Sequence, residues 1–166
     1  MRPLKVRDIM AGQVYLTRAG YQRLLEQLEF LKTTERQRIA KAIGEARAQG
    51  DISENAEYDA AKEAQAHNES RIADLEGTLS NVAFIEDMNI PSDKIFIGAT
   101  ATLWDCDLAT EVRYTLVAPE EVEFGADRLS VFSPIGKGLL THAVGDEILI
   151  KVPAGNKRFK VLKIKR

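Results

Sequence analysis

The sequence contains one cysteine and two histidines among its 166 residues, and it has no surplus of positive charge. The lone Cys106 excludes an internal disulfide, which suits a reducing compartment such as the cytoplasm. His67 and His142 lie far apart in the sequence, so no zinc-ligand pattern is present. The net charge of −2 argues against a general nucleic-acid-binding protein.

Long apolar runs and nucleotide-binding loops are also missing. No run approaches the roughly 20 apolar residues that a membrane-spanning helix needs, and no Walker A or dinucleotide-binding glycine loop occurs. The hydrophobic fraction of 45% and the charged fraction of 29% are typical of soluble globular proteins. We therefore expect a cytoplasmic protein without membrane attachment, built as one ordinary domain or two small ones.

Two long helical patterns mirror each other in the first half of the chain. Their apolar or small residues recur at alternating spacings of 3 and 4, which is typical of a coiled coil. Pairing the arms from the outside inwards gives residue numbers with a constant sum, and this predicts an antiparallel hairpin centred between Asp51 and Ile52. We expect the first helix to run from a Thr17 cap to about Gln49 and the second from near Ser53 to near Glu86. The pairs are Tyr21–Val82, Leu24–Leu79, Leu28–Leu75, Leu31–Ile72, Ile39–Ala64 and Ala42–Ala61.

The two arms carry opposite charge near the centre of the hairpin. Basic residues dominate 32–47 and acidic residues dominate 51–76, which predicts ion pairs between the flanks of the arms. Two interpretations of the basic side chains stay open: a solvated flank paired with the acidic arm, or a path for RNA phosphates. The residues concerned are Arg36, Arg38, Lys41 and Arg47.

The second half of the chain has the alternation and turn residues of a β-rich domain. Pro91 marks the predicted boundary, giving a leader at 1–14, a coiled-coil domain at 15–90 and a β-rich domain at 91–166. Ser133 and Pro134 predict the cap and first residue of a short helix that ends near His142. The predicted strands are 95–97, 99–104, 111–117, 129–132, 147–152 and 159–164.

The predicted turn between the helices carries two acidic residues three positions apart, Asp51 and Glu54. They could form a variant of the capping box at the start of the second helix. Alternatively, they could act as hard oxygen ligands for Mg²⁺, with the remaining ligands supplied by another molecule because Mg²⁺ needs about six oxygens. Asn55 could cap the helix or contact a partner, and Tyr58 could pack within the hairpin or make such a contact.

Three motifs resemble those of the bacterial transcript-cleavage factors, the GreA/GreB family. GDISENAEY at 50–58, followed by AAKE at 60–63, resembles the family's hairpin tip. Residues 16–28 resemble the start of its first arm, and LSVFSPIGKGL at 129–139 resembles the signature of its C-terminal domain. The resemblance spans about residues 14–165. The modest basic surface near the tip is more similar to the GreA branch than to the GreB branch.

This resemblance implies an α+β fold in which an N-terminal antiparallel two-helix coiled-coil hairpin precedes an FKBP-like β-rich C-terminal domain. It implies a monomeric, non-enzymatic accessory factor of bacterial RNA polymerase, associated with transcription and with DNA binding. Ser133, Pro134 and Ile135 would contact the rim of the polymerase secondary channel. Asp51 and Glu54 would help hold a catalytic Mg²⁺ beside the 3′ end of backtracked nascent RNA, so that the polymerase cleaves the RNA.

Two alternatives accompany this expectation. Some members of the family inhibit the polymerase without stimulating cleavage, and an inhibitor that binds in the channel is the first alternative. An FKBP-like peptidyl-prolyl isomerase with a coiled-coil handle is the second. The presence of both Asp51 and Glu54 argues against the inhibitor.

Overall fold

A computed structural model describes residues 5–9, 11–51 and 54–166. These residues form two compact units: Ala19–Asn81, and the described residues up to Arg18 together with Val82–Arg166. The helices are α1 (Val6–Ile9), α2 (Arg18–Phe30), α3 (Arg36–Ala48), α4 (Ala56–Leu79) and α5 (Pro134–Leu139). The strands are β1 (Val14–Leu16), β2 (Val82–Phe84), β3 (Thr100–Asp105), β4 (Thr110–Val117), β5 (Arg128–Ser130), β6 (Glu147–Val152) and β7 (Gly155–Lys165).

The first unit is the predicted antiparallel helical hairpin. Its arms are joined by ion pairs whose residue numbers rise on one arm as they fall on the other: Lys32 with Glu76, and Arg36 with Glu69 at 2.7 Å. Nearer the connection between the arms, Arg47 lies over the ring of Tyr58. The oppositely charged arms therefore pair across their flanks, as the sequence predicts.

The seam of the hairpin differs between its two halves. Leu24, Leu31 and Ile72 are buried far from the connection between the arms, whereas the alanines Ala46 and Ala61 are buried close to it. Each alanine buries less apolar surface than a leucine, at about 25 cal/mol per Å², but this half also contains two buried isoleucines, so it is not formed by small residues alone as the sequence predicts. Near the connection the buried cluster consists of Ile39, Ile43 and Ala61, against which Ala42, Tyr58 and Ala64 pack.

The first arm is interrupted, where the sequence predicts one continuous helix. Leu31–Glu35 forms a π-helix between α2 and α3. The buried Asn68 of α4 donates a hydrogen bond from Nδ2 to the Leu31 carbonyl, and the Thr33 hydroxyl donates to the Glu29 carbonyl. Side chains thus supply hydrogen bonds to the backbone where the helix widens. Heptad spacing alone carries no sign of this widening.

The second arm is shorter than predicted. It begins at Ala56 and ends at Leu79, whereas the sequence placed its end near Glu86. Ser53, its predicted first residue, lies outside the described residues. Val82–Phe84 forms β2 and pairs in parallel with β1. Val82 is therefore in a strand, because a β-branched and aromatic run finds a pairing partner there, and its predicted helical pairing with Tyr21 is wrong.

The second unit contains, within the described residues, a five-stranded sheet with the order β5-β4-β3-β7-β6. Only β4 and β5 are parallel, and the other neighbours are antiparallel. Five predicted strands are confirmed with shifts of a few residues. The sixth, at 95–97, is wrong: this segment is buried outside the named strands, and its backbone bonds to residues 141 and 142. Together with the hairpin, the sheet confirms the predicted α+β class, and the FKBP-like assignment stays a prediction.

A buried carboxylate lies within this second unit, to which Thr17 also belongs. Glu121 is fully buried, and its two oxygens accept hydrogen bonds from the backbone N–H of Thr17 at 3.1 Å and from the Thr17 hydroxyl at 2.6 Å. Arg128 lies 3.4 Å from the same carboxylate. A buried charge of this kind requires such partners, so residues 17, 121 and 128 form one structural cluster.

Candidate functional site

The candidate site is the tip of the hairpin, defined here as residues 50–58. The first arm ends at Gly50, whose φ of +131° favours glycine. Asp51 and Glu54 both have exposed side chains. Ile52 and Ser53, which belong to the predicted motif, lie outside the described residues. The two acidic groups are thus at the connection between the arms, accessible to solvent.

Asn55, and neither acidic residue, caps the second arm. Its Oδ1 accepts hydrogen bonds from the backbone N–H groups of Glu57 and Tyr58 at 3.1 and 3.2 Å. Its Nδ2 donates to the Ala46 carbonyl at 2.6 Å, which ties the end of the first arm to the start of the second. The N-cap of α4 is therefore Asn55, and not Asp51 as the sequence predicts for the second helix.

Tyr58 has a packing role within the hairpin. It is half-buried against Ile39, Ile43 and Ala61, and the guanidinium of Arg47 lies 5.7 Å from its ring centroid. Such a cation–π contact contributes about 0.5–1 kcal/mol at an exposed site. The predicted contact of Tyr58 with a partner stays a prediction, as does that of Asn55.

The other basic residues of the first arm also have partners within the hairpin. Arg36 makes two hydrogen bonds to Glu69 across the arms, at 2.8 and 2.7 Å, and these lower the pKa of the Glu69 carboxyl. Arg38 holds Glu35 in the same way on its own arm and lowers the pKa of that carboxyl. Lys41 lies 3.7 Å from Glu45. These contacts agree with a solvated, paired flank, and the alternative contact with RNA stays a prediction.

The donor chemistry of the tip fits a hard cation. Carboxylate oxygens are the ligands that Mg²⁺ prefers, and both Asp51 and Glu54 are exposed. Over residues 5–9, 11–51 and 54–166, no group of three or more His, Cys, Asp or Glu side chains is placed to hold a metal ion. Because Mg²⁺ takes about six oxygens, the two carboxylates could provide only part of a site shared with another molecule.

A second candidate surface lies in the other unit, at the start of α5. Ser133 accepts a hydrogen bond from the Gly136 N–H at 3.0 Å and donates one to the Ser130 carbonyl at 2.7 Å, so it caps the helix as predicted. A Cβ at Gly136 would lie 2.0 Å from the Ser130 carbonyl oxygen, which explains the glycine. Pro134 is exposed and Ile135 is half-buried. The three residues predicted to contact the polymerase are thus held on a rigid turn.

Sequence reasoning missed an aromatic residue and a pocket beside this turn. Phe132 is 41% exposed, although the sequence suggested only the end of a strand. It lines an apolar pocket of about 180 Å³ together with Tyr15, Ile97 and Val131. The pocket joins segments that are distant in the sequence, so periodicity could not reveal it. The signal that could have found Phe132 is its position directly before a capping serine.

Across the described part of the chain, no helix is both long enough and apolar enough to cross a membrane. Two family models match the sequence. The model described as "Transcription elongation factor, N-terminal" matches residues 14–83, and the one described as "Transcription elongation factor, GreA/GreB, C-term" matches residues 90–166.

Curated proteins and solved structures that are similar to this chain are the following. Transcription elongation factor GreA of Chloroherpeton thalassium is 48% identical over 94% of this chain and 99% of its own length, and GreA of Chlorobium phaeovibrioides is 44% identical over 93% and 98%. Gfh1, a GreA factor homolog of Thermus thermophilus, is 31% identical over 93% of this chain and 99% of its own, with a TM-score of 0.42. A GreA/GreB elongation factor from Nitrosomonas europaea is 22% identical over 93% and 100%, with a TM-score of 0.40. The sequence relationships show that this chain belongs to the GreA/GreB family of transcription elongation factors.

Proposed function

We propose that this elongation factor binds bacterial RNA polymerase through its secondary channel and stimulates the polymerase's cleavage of backtracked nascent RNA. The hairpin would enter the channel, and the turn at Ser133, Pro134 and Ile135 would contact its rim. The polymerase would perform the catalysis, and the factor would donate ligands. One observation carries the proposal: Asp51 and Glu54 are exposed at the tip, while a different residue, Asn55, caps the helix.

In this proposal the chain positions the negative charges of Asp51 and Glu54. The Asn55 amide fixes the start of α4 against the end of α3, and Tyr58 and Arg47 brace the same end of the hairpin. These contacts give the two carboxylates a defined support, which a shared metal site requires. A Mg²⁺ ion bound there would activate water for attack on the RNA backbone.

The test uses stalled, backtracked elongation complexes in the presence of Mg²⁺. Addition of the wild-type chain is expected to shorten the RNA from its 3′ end. Asp51→Asn and Glu54→Gln each remove one charge at nearly constant shape, and each is expected to lower the cleavage rate at least about tenfold, because a charged metal ligand is lost. Both variants should bind the polymerase like the wild type and unfold within about 0.5 kcal/mol of it, since the side chains are exposed.

Asp59→Asn and Glu57→Gln are the matched controls, because both side chains are exposed in the first turn of α4 and lose the same charge. They should cleave like the wild type. Full cleavage with both Asp51 and Glu54 neutralised would contradict the metal role. Slowed synthesis without any shortening of the RNA would instead support the inhibitor that binds in the channel.

A further inference from the structure

The outer face of the five-stranded sheet has a concentration of positive charge that the activity proposed above does not use. Although the whole chain has a net charge of −2, residues 155–166 contain six basic residues and no acidic one. A groove of about 440 Å³ crosses this face. Four basic side chains line it, together with a single carboxylate, Asp127. They are Arg113, Lys163, Lys165 and Arg166.

The strand register arranges these residues in rows. In one row Lys163 of β7 lies opposite Thr102 of β3, which lies opposite Arg113 of β4. Neighbouring strands are about 4.8 Å apart, so two cationic side chains flank a short threonine. The groove therefore has basic walls and a floor that offers a hydroxyl group.

A second row lies two residues further along the strands and contains one cation and two threonines. Lys165 lies opposite Thr100, which lies opposite Thr115, and the two hydroxyl oxygens are 2.9 Å apart. The rows are separated by about 7 Å along the strands, a distance of the order of the spacing between consecutive phosphates of a nucleic-acid strand. Lys163 and Lys165 are thus about as far apart along the strand as consecutive phosphates of a nucleic-acid strand.

Among the described residues, none of the cations of the groove has a carboxylate partner. Within the portion of the chain that the structure describes, Arg113, Lys163, Lys165 and Arg166 form no ion pair, and Arg166 donates only to the Ile90 carbonyl. Partial burial lowers the pKa of the Arg166 guanidinium, with no acidic group compensating for it. In the hairpin, by contrast, Arg36 and Arg38 are each engaged by a glutamate. The groove is therefore suited to a negatively charged partner.

An aromatic side chain extends the surface in the next row. Trp104 is 40% exposed and lies between Lys160 of β7 and Glu111 of β4. Lys160 lies 3.9 Å from Glu147, so the cations available to a ligand are those of the groove. An exposed aromatic ring next to a basic groove is an arrangement on which bases of single strands stack. An acidic peptide would use the cations but would gain little from the indole, so the combination favours a nucleic acid.

We propose that this face of the sheet binds the phosphate backbone of a single-stranded nucleic acid, with Arg113, Lys163, Lys165 and Arg166 contacting phosphates and Trp104 stacking on a base. Thr100, Thr102 and Thr115 provide further donors on the floor of the groove. The binding is independent of sequence, because backbone contacts and stacking carry no base code.

The test uses the isolated full-length chain, with Asp51 and Glu54 unchanged and no polymerase present, so its result does not depend on cleavage. Labelled single-stranded RNA and single-stranded DNA of one sequence are titrated and followed by fluorescence anisotropy over a range of salt concentrations. Trp104 is the only tryptophan of the chain, so its intrinsic fluorescence reports directly on this face. We expect saturable binding with quenching of Trp104, and the RNA and DNA arms identify the preferred strand.

Substitutions of groove residues test whether the nucleic acid binds in the groove. Lys163→Gln combined with Lys165→Gln should weaken the affinity at least about tenfold at low salt and reduce the slope of log K against log salt by about 1.4, since each phosphate contact on a single strand contributes about 0.7. Trp104→Leu should weaken binding at least about fivefold through lost stacking. The control, Lys62→Gln combined with Lys94→Gln, removes the same charge from exposed positions outside the groove and should bind like the wild type.

Three results would overturn the proposal. The first is the absence of binding to either strand, and the second is equal binding by the groove variant and its control. The third is tighter binding of a poly-glutamate peptide than of RNA or DNA, which would identify an acidic protein segment as the partner. Thermal melting of each variant verifies that the altered chains are folded.

Discussion

The two units of this protein use charged residues in opposite ways. In the hairpin, the ion pairs are exposed: the side chains of Arg36 and Glu69 are 45% and 46% accessible to solvent. In the sheet-containing unit, Glu121 and Asp105 are buried, at 0% and 3% exposure, and each carboxylate is surrounded by donors. The carboxylate of Glu69 therefore lies on the surface of the hairpin, whereas those of Glu121 and Asp105 lie in the core of the sheet-containing unit.

The difference follows from the dimensions of the two units. Two packed helices bury one stripe of side chains, so most charged groups on them stay in water, where a pair contributes about 0.2–1 kcal/mol. A sheet unit has an interior, and a carboxylate placed there loses its hydration and depends on protein donors. Charged residues in the hairpin can be replaced at little cost in stability, whereas the buried carboxylates of the second unit, Glu121 and Asp105, are part of the fold.

The largest effect is expected at Glu121. Glu121→Ala removes the acceptor for two Thr17 groups and leaves Arg128 without its carboxylate, so the free energy of unfolding should fall by about 2–4 kcal/mol. Urea denaturation measures the change. Glu121→Gln retains an acceptor and should lose less. If the free energy of unfolding of Glu121→Ala were lower than that of the wild type by less than about 1 kcal/mol, the proposed difference between the buried and the exposed charges would be wrong.

A smaller, pH-dependent effect is expected at Asp105. Burial alone would raise the pKa of this carboxyl, but the N–H groups of Leu108 and Asp107, together with Lys157, lower it below its usual 3.8. A lowered folded-state pKa means that the stabilisation is complete above the unfolded value and is lost as the pH falls through the folded one. Asp105→Asn should therefore cost about 1–2 kcal/mol at neutral pH.

The pH series supplies the control for that variant. Below pH 4 the wild type progressively loses the benefit of the ionised Asp105, so the difference in unfolding free energy between the two chains should shrink. Chemical denaturation at several pH values measures it. A difference that is constant from neutral pH down to the acid range would show that the ionisation of Asp105 does not contribute.

The smallest effect is expected for the exposed pair of the hairpin. A double-mutant cycle with Arg36→Ala and Glu69→Ala should give a coupling free energy of about 0.5 kcal/mol, which falls further in high salt because solvent and ions screen the charges. Thermal or urea unfolding of the four chains measures it. A coupling as large as the effect of Glu121→Ala would show that exposed and buried charges are equivalent here.

The local sequence pattern correctly predicted those elements that interactions between nearby residues stabilise. The seam of Ile39, Ala42, Ala61 and Ala64 and the Ser133 cap were correctly placed, because helical periodicity and capping depend on residues within one or two turns. The strand β6 was predicted at its observed bounds, since its alternation of apolar and polar residues spans the whole strand. The motif also identified Asp51 and Glu54 before their exposure was known.

The misplaced elements depend on distant partners. Val82–Phe84 continues an apolar pattern after α4, but its pairing with β1 decides that it is a strand. The π-helix at Leu31–Glu35 accompanies a hydrogen bond from Asn68, 37 residues away. Asn55 and Asp51 are both good capping residues by type, and the structure places Asn55 at the N-cap of α4, where its Nδ2 also bonds to the Ala46 carbonyl of the other arm.

The amino-acid sequence by itself determined the family, the hairpin and the pair of acidic residues at the tip, because short-range periodicity and a contiguous motif encode all three. Only the tertiary structure decided that Asn55 closes the tip, that Glu121 is buried, and that Arg113 joins Lys163 and Lys165 in one groove. The physical reason is that strand register and burial bring together residues from separate parts of the chain, and no window of local sequence contains both partners.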